Sequence, residues 1–171
     1  MLAGASATFT NAIVDCNEAA TDGGGLFTET SGTATFVNTV LYENVSSETG
    51  TSRGSQAWIG ASTSLHLTNS IVEGTTSVAL LYGIGSGSLT YDDVHNASGE
   101  SYGGALSAGE GTISSGGNFT SVVCDGDAFD DDFSLVAGSS AVDAGNPDAA
   151  YADVDGTVND LGAFGGPAGS W

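Results

Sequence analysis

The sequence predicts an all-β chain wound as a solenoid of stacked repeats. The first observation behind this is a recurring motif: a large apolar residue, any residue, an Asn, a small residue and two aliphatics. It reads Phe9-Thr10-Asn11-Ala12-Ile13-Val14, then Phe36-Val37-Asn38-Thr39-Val40-Leu41, then Leu67-Thr68-Asn69-Ser70-Ile71-Val72. The copies are β-branched, rich in Thr and too short for helices, so they read as strands. The Asn residues stand 27 and then 31 residues apart, a spacing that marks solenoids, propellers or arrays. The second observation is composition. Gly occurs 27 times and Pro twice, with Ser and Thr filling the gaps between apolar runs, which suits short strands and turns and is poor for helices. The third is that Asn-Gly hairpin signals between neighbouring strands are missing, so like strands should stack in parallel rather than turn back on one another.

Taken in order, residues 7–14 are the first copy and residues 15–21 a polar loop. Gly23, Gly24 and Gly25 turn the chain into a short strand at Leu26-Phe27-Thr28, and Ser31-Gly32 turns it again. Residues 33–41 are the second copy. A longer loop over 42–55 contains Arg53, and residues 56–60 repeat the glycine-side strand. Residues 64–72 are the third copy, residues 77–84 another strand, and residues 85–88 a turn. Leu89-Thr90-Tyr91-Asp92-Asp93-Val94 is a degenerate fourth copy in which Tyr91 takes the Asn place. Residues 102–106 repeat the glycine-side strand, and residues 112–123 form a last, looser turn. From Asp125 the periodicity stops and Asp, Ala and Gly dominate. The chain thus divides into repeats over 1–124 and an acidic, Gly-rich tail over 125–171.

Stacking places Phe9, Phe36 and Leu67 in one interior column and Ile13, Val40 and Ile71 in another. Asn11, Asn38 and Asn69 form a third column. Buried amides are costly unless bonded, so each is expected to bond its neighbours and nearby backbone, as stacked amide ladders do, and so to fix a bend.

Charge sets strong limits. There are 21 Asp and Glu against one basic residue, Arg53, giving a net charge of −20. Such a chain repels a phosphate backbone and an anionic membrane surface, which excludes nucleic acid as a partner. It suits a solvated surface in an extracellular or salt-exposed setting, or one that collects divalent cations. No apolar run approaches the roughly 18 residues of a membrane span, so membrane insertion is not expected. The start of the chain has neither a basic nor an apolar leader region and runs almost at once into a repeat strand, which leads us to expect a piece of a longer protein. Cys16 and Cys124 are 108 residues apart. A bridge needs Cα atoms within about 7 Å, hence a tail that folds back, and two unpaired thiols are expected.

The glycine turn Gly23-Gly24-Gly25-Leu26, the Asn-bearing strands and Leu89-Thr90-Tyr91-Asp92-Asp93-Val94 resemble the right-handed parallel β-helix repeat proteins of bacterial surfaces, within the pectin-lyase-like superfamily. The tail adds Phe133-Ser134-Leu135, Gly138-Ser139-Ser140-Ala141-Val142-Asp143-Ala144-Gly145, Asp153-Val154-Asp155-Gly156 and Asp160-Leu161-Gly162-Ala163-Phe164-Gly165-Gly166-Pro167. It is similar to the C-terminal end of the helix in secreted or anchored members, although relatives usually carry a Pro near Ser140 and another near Ala128. The resemblance implies a right-handed parallel β-helix of about four to five coils with a capping tail. It implies a secreted or cell-surface place, with a polysaccharide or other surface ligand as partner. The expected function is a non-catalytic module for adhesion, glycan contact or scaffolding. The alternative is a fragment of a carbohydrate-active enzyme, a lyase or hydrolase of acidic polysaccharide. The open first coil is expected to self-associate, because unpaired strand edges invite pairing.

The candidate site residues are few, and none is expected to be catalytic. Asp153, Asp155 and Asp160 place three carboxylates around a Gly turn, the hard oxygen ligands that Ca²⁺ takes. Ca²⁺ is the one cofactor these residues suggest, against a plain Asp-Gly turn in which side chains bond local amides. A lyase needs a base, and Arg53 is the one strongly basic residue, in a solvent loop. A hydrolase needs two carboxylates, and in Asp92-Asp93 neighbouring strand residues point to opposite faces. His66 should project outward, and His95 should stand one layer from Glu73. The sequons at Asn44, Asn96 and Asn118 are expected by chance in so Ser- and Thr-rich a chain.

Overall fold

The computed structural model describes residues 4–47 and 54–169. Arg53 lies outside the described residues. Among these, the chain is all β, with no helix. Its strands are β1 (Ala5–Thr10), β2 (Ile13–Asp15), β3 (Glu18–Ala19), β4 (Leu26–Thr28), β5 (Gly32–Val37), β6 (Val40–Tyr42), β7 (Val45–Ser46) and β8 (Gly54–Ile59). They continue with β9 (Thr63–Thr68), β10 (Ile71–Gly74), β11 (Ala79–Gly83), β12 (Ser86–Thr90), β13 (Asp93–Asn96), β14 (Tyr102–Gly104), β15 (Phe119–Ser121) and β16 (Asp132–Leu135).

Three four-stranded parallel sheets take one strand each from successive repeats. Their orders are β1-β5-β9-β12, β2-β6-β10-β13 and β4-β8-β11-β14. The register follows the motif: Phe9 pairs with Phe36, and Phe36 with Leu67, which pairs with Leu89. Identical positions stack because only that register keeps every large apolar residue on the same face; a slip of one residue would turn them all over. Phe9 and Phe36 stack with ring centroids 4.8 Å apart, the spacing of neighbouring strands.

The first and second sheets meet at the Asn positions. Asn11, Asn38 and Asn69 have φ of 48°, 48° and 55°, and Tyr91 has φ of 55°. This left-handed conformation suits Asn better than most residues, because its short amide bonds locally. It also shifts the alternation of the following strand, which decides what that strand buries. Leu41, Val72 and Val94 belong to a first core with Phe36, Leu65, Leu67, Leu81 and Ile59, drawn from all three sheets. Val40 and Ile71, with Ile13 against them, face the other way into a second core with Phe133, Ala141, Leu161 and Ala163 of the tail. The expectation that Ile13, Val40 and Ile71 stack in the interior with Phe36 is therefore corrected: the second sheet buries both its faces, and this column serves the tail.

The tail reaches that face by folding back. β15 and β16 pair antiparallel, and Phe119 and Phe133 pack edge-on against Tyr42 of β6 at centroid distances of 5.6 Å each. Residues 119–135 thus straddle the boundary expected at 124. Cys16, just after β2, is bonded to Cys124, with Cα atoms 5.5 Å apart. This corrects the expectation of two unpaired thiols. The tail brings together two residues 108 apart in sequence, a non-local contact that strand periodicity does not encode.

Candidate functional site

The tail carries a groove of about 790 Å³ between β16 and the segment 153–169. Asp153, Asp155 and Asp160 all line it, joined by Asp132 of β16. Its apolar wall includes Leu135, Val142, Val154, Leu161 and Phe164, of which Val142 and Val154 are exposed. The three carboxylates found in the sequence therefore share one concavity, and the apolar wall was not anticipated.

Most of their hydrogen bonds go to backbone. Asp153 accepts from the Gly166 amide on one oxygen and from the Asp160 amide at 2.9 Å on the other. Asp160 accepts from the Asp143 amide at 2.7 Å. Asp155 accepts from the Thr157 hydroxyl at 2.7 Å and its amide at 3.0 Å. Among the described residues no set of three or more His, Cys, Asp or Glu is arranged to hold a metal ion. Their environments also differ. Burial pushes the Asp160 carboxyl above its ordinary value, with the charges of Asp153, Asp143 and Asp155 adding to the shift and the Asp143 amide opposing it. The Thr157 hydroxyl and amide hold Asp155 below its ordinary value.

Behind the groove, the tail is held by the Asn column. Asn11 donates to the Ala163 and Gly165 carbonyls, each at 2.8 Å. Asn38 donates to Asn159 Oδ1 at 3.0 Å, the Asp160 carbonyl at 3.1 Å and the Gly162 carbonyl at 3.3 Å, and Asn159 donates back at 3.3 Å. Asn69 Oδ1 accepts from the Asn146 amide at 2.7 Å, while its buried Nδ2 is without a partner. The amides thus address the tail, where the sequence reading has them bonding one another. Close approach requires Gly here: a Cβ on Gly165 would stand 1.8 Å from the Asp160 carbonyl oxygen, and one on Gly166 2.7 Å from Asn38 Oδ1.

The other candidates are dispersed. Asp92 and Asp93 are both buried. Asp92 Oδ1 accepts from the Ser70 amide at 2.9 Å, its Oδ2 has no partner, and burial pushes its pKa up to about 8. Asp93 accepts from the Ser115 amide at 2.9 Å, the Ser115 hydroxyl and Asn118 Nδ2 at 2.9 Å. Burial raises the Tyr102 phenol, with Asp92 and Asp93 adding to it. His66 is exposed on β9, as its place in the strand implies. His95 is the register partner of Glu73, but its Nδ1 is 3.3 Å from the Ser114 hydroxyl, and Glu73 accepts from the Gly117 amide at 2.7 Å.

The sequon residues are structural. Asn44, Asn96 and Asn118 are all buried. Asn44 donates to the Val14 carbonyl at 2.7 Å and to Gln56 Oε1 at 2.6 Å. Asn96 donates to the Val78 and Glu100 carbonyls at 3.0 Å each. Comparison with protein-family models, with curated proteins and with solved structures finds no match to this chain.

Proposed function

We propose that the three parallel sheets are the faces of a right-handed parallel β-helix of the pectin-lyase-like kind. In this reading the chain is a non-catalytic module of a secreted or cell-surface protein, serving adhesion, glycan contact or scaffolding. The observation that carries it is the clasp: the first repeat and the residue at the head of the tail are joined by the Cys16–Cys124 bond, and the Asn column holds the tail across the repeats between. Such construction favours a rigid rod, and disulfides persist in oxidising surroundings such as the cell exterior. The acidity of the chain suits the same place. Self-association through the first repeat belongs to this reading. β1 ends its sheet, and Phe9 is only half-buried where Phe36 is 2% exposed; a strictly monomeric light-scattering profile removes this part.

One observation favours the enzyme reading. Asp160 and Asp155 line the same groove with their pKa values pushed in opposite directions, as the acid and base of a glycosidase are. Incubation with polygalacturonate and other acidic glycans, with Ca²⁺ present, separates the two. The module reading expects retention on a glycan or surface ligand and no unsaturated or reducing-end product. Product above a heat-killed control that Asp160→Asn abolishes would establish the enzyme instead.

A further inference from the structure

The Cys16–Cys124 bond is open to solvent. Cys124 is exposed and Cys16 half-buried, and both line a surface cavity of about 180 Å³. Asp15, Asp127 and Asp131 line it with them. Asp131 is held at the cavity by accepting from the Val123 amide at 2.7 Å, and Asp127 by accepting from the Phe129 amide at 3.1 Å. Burial, and next the charge of Asp131, push the Asp15 carboxyl above its ordinary value, so these two acids lie within each other's field. No Lys or Arg stands among the described residues to offset them.

We propose that this cavity is a thiol-exchange site that admits cationic and neutral thiols and turns away anionic ones, so that the charge of the reductant decides whether the clasp opens. The attacking species is a thiolate. It attacks the Sγ of Cys124, the more exposed of the two residues, the bond between the two cysteines breaks, and Cys16 leaves as a thiolate. A second thiolate then displaces Cys124 from the mixed disulfide. Two reagent thiols are oxidised to one reagent disulfide, the protein disulfide gains two electrons, and both cysteines take up the protons released. A thiolate bearing an ammonium group approaches the three carboxylates with no net charge. An alcohol thiolate brings one negative charge and a carboxylate thiolate two, and each is repelled in proportion. Asp15 also stands beside the departing Cys16 thiolate. That slows every reagent alike, so the selectivity lies in the approach.

The test measures thiol release from the folded, oxidised protein with cysteamine, 2-mercaptoethanol and 3-mercaptopropionate. Each rate is divided by the same reagent's rate on hydroxyethyl disulfide, which removes differences in intrinsic nucleophilicity. The proposal expects the order cysteamine, mercaptoethanol, mercaptopropionate, with a spread of about tenfold or more at low salt. The spread should collapse near 1 M salt, where the screening length is about 3 Å, and should narrow in the Asp15→Asn, Asp131→Asn double variant. Normalised rates that agree within about twofold, or a spread that salt leaves untouched, would overturn it. Should the double variant not fold, the salt series on the unaltered protein decides alone. The glycan assays above do not involve the disulfide, so neither outcome bears on the other.

Discussion

The two cores are built from different kinds of sequence. The first gathers Phe36, Leu65, Leu67, Leu41, Val72, Leu81 and Ile59 from repeats that are neighbours in the chain, with Phe36 paired to Leu67 and Leu41 to Val72. The second gathers Val40 and Ile71, which stack on one another, but takes Phe133, Ala141, Leu161 and Ala163 from the tail, where no repeat stacks. Every residue of the first core comes from the repeats. The second exists only once the tail has folded back onto strands more than sixty residues earlier in the chain. Removing a residue from the first should therefore weaken the whole molecule, whereas removing one from the second, or one of the amides that hold the tail, should act on the tail first.

Phe36→Ala tests the first half of that contrast. It takes away a ring that is 2% exposed and stacked on Phe9, and it should cost about 3–5 kcal/mol in denaturant unfolding, with sheet and tail signals lost in one transition. A tail that kept its structure after the sheets had unfolded would show that the second core does not depend on the first as described.

The next effect comes from the one repeat that, among the described residues, brings a carboxyl to a fully buried position. Asp92 takes the place that Ser70 and Thr39 hold in earlier repeats, and burial raises its pKa from 3.8 to about 8. The unfolded chain releases this proton at the lower value and the folded chain keeps it to the higher one. The contribution is thus fully present below the unfolded pKa and is lost as pH rises through the folded one. Stability should fall by about 2–3 kcal/mol between about pH 6 and pH 8, and Asp92→Asn should flatten that part of the profile. An unchanged slope in the variant would remove Asp92 as its source.

Asn38→Ala is a smaller disturbance, aimed at the tail. It strips donors from Asn159 Oδ1 and the Asp160 and Gly162 carbonyls and puts Ala at a positive φ, for about 1–3 kcal/mol. Asn38→Gly keeps the backbone at ease and isolates the lost amide. If Gly restored full stability, the bend rather than the tail contact would be what the amide serves.

The smallest expected effect is that of calcium. With Asp153 engaged on both oxygens by backbone amides, millimolar Ca²⁺ should leave the melting temperature where it was. A shift that Asp155→Ala abolishes would establish the ion site.

The same contrast explains what could be read in advance. Strand positions, parallel pairing and the stacking of Phe9, Phe36 and Leu67 were legible because a repeated motif states its own register. The orientation of Ile13, Val40 and Ile71 was not, because two adjacent aliphatics after the Asn do not say which faces inward. The left-handed residue before them sets that phase. Asn11, Asn38 and Asn69 were legible as a column at a bend, yet their partners Asn159, Asp160, Gly162 and Ala163 lie in an aperiodic segment. Cys16 and Cys124 were visible as residues, but the fold-back that joins them has no local signal. Asp153, Asp155 and Asp160 stood out as acids around a Gly turn, while Leu135 and Val142, which give their groove an apolar wall, come from elsewhere in the tail.

Hydrogen exchange on the oxidised and the fully reduced protein tests the central claim most directly: the repeats form a self-standing stack, and the tail is a separate piece clasped onto it. Reduction should raise exchange at amides of the tail segment 159–165, including the Gly162 amide that donates to the Asn69 carbonyl. Amides of β5, β9 and β11 should keep their protection. Equal loss of protection in the tail and in these three strands would contradict the account, because it would make the clasp a condition of the stack rather than an addition to it.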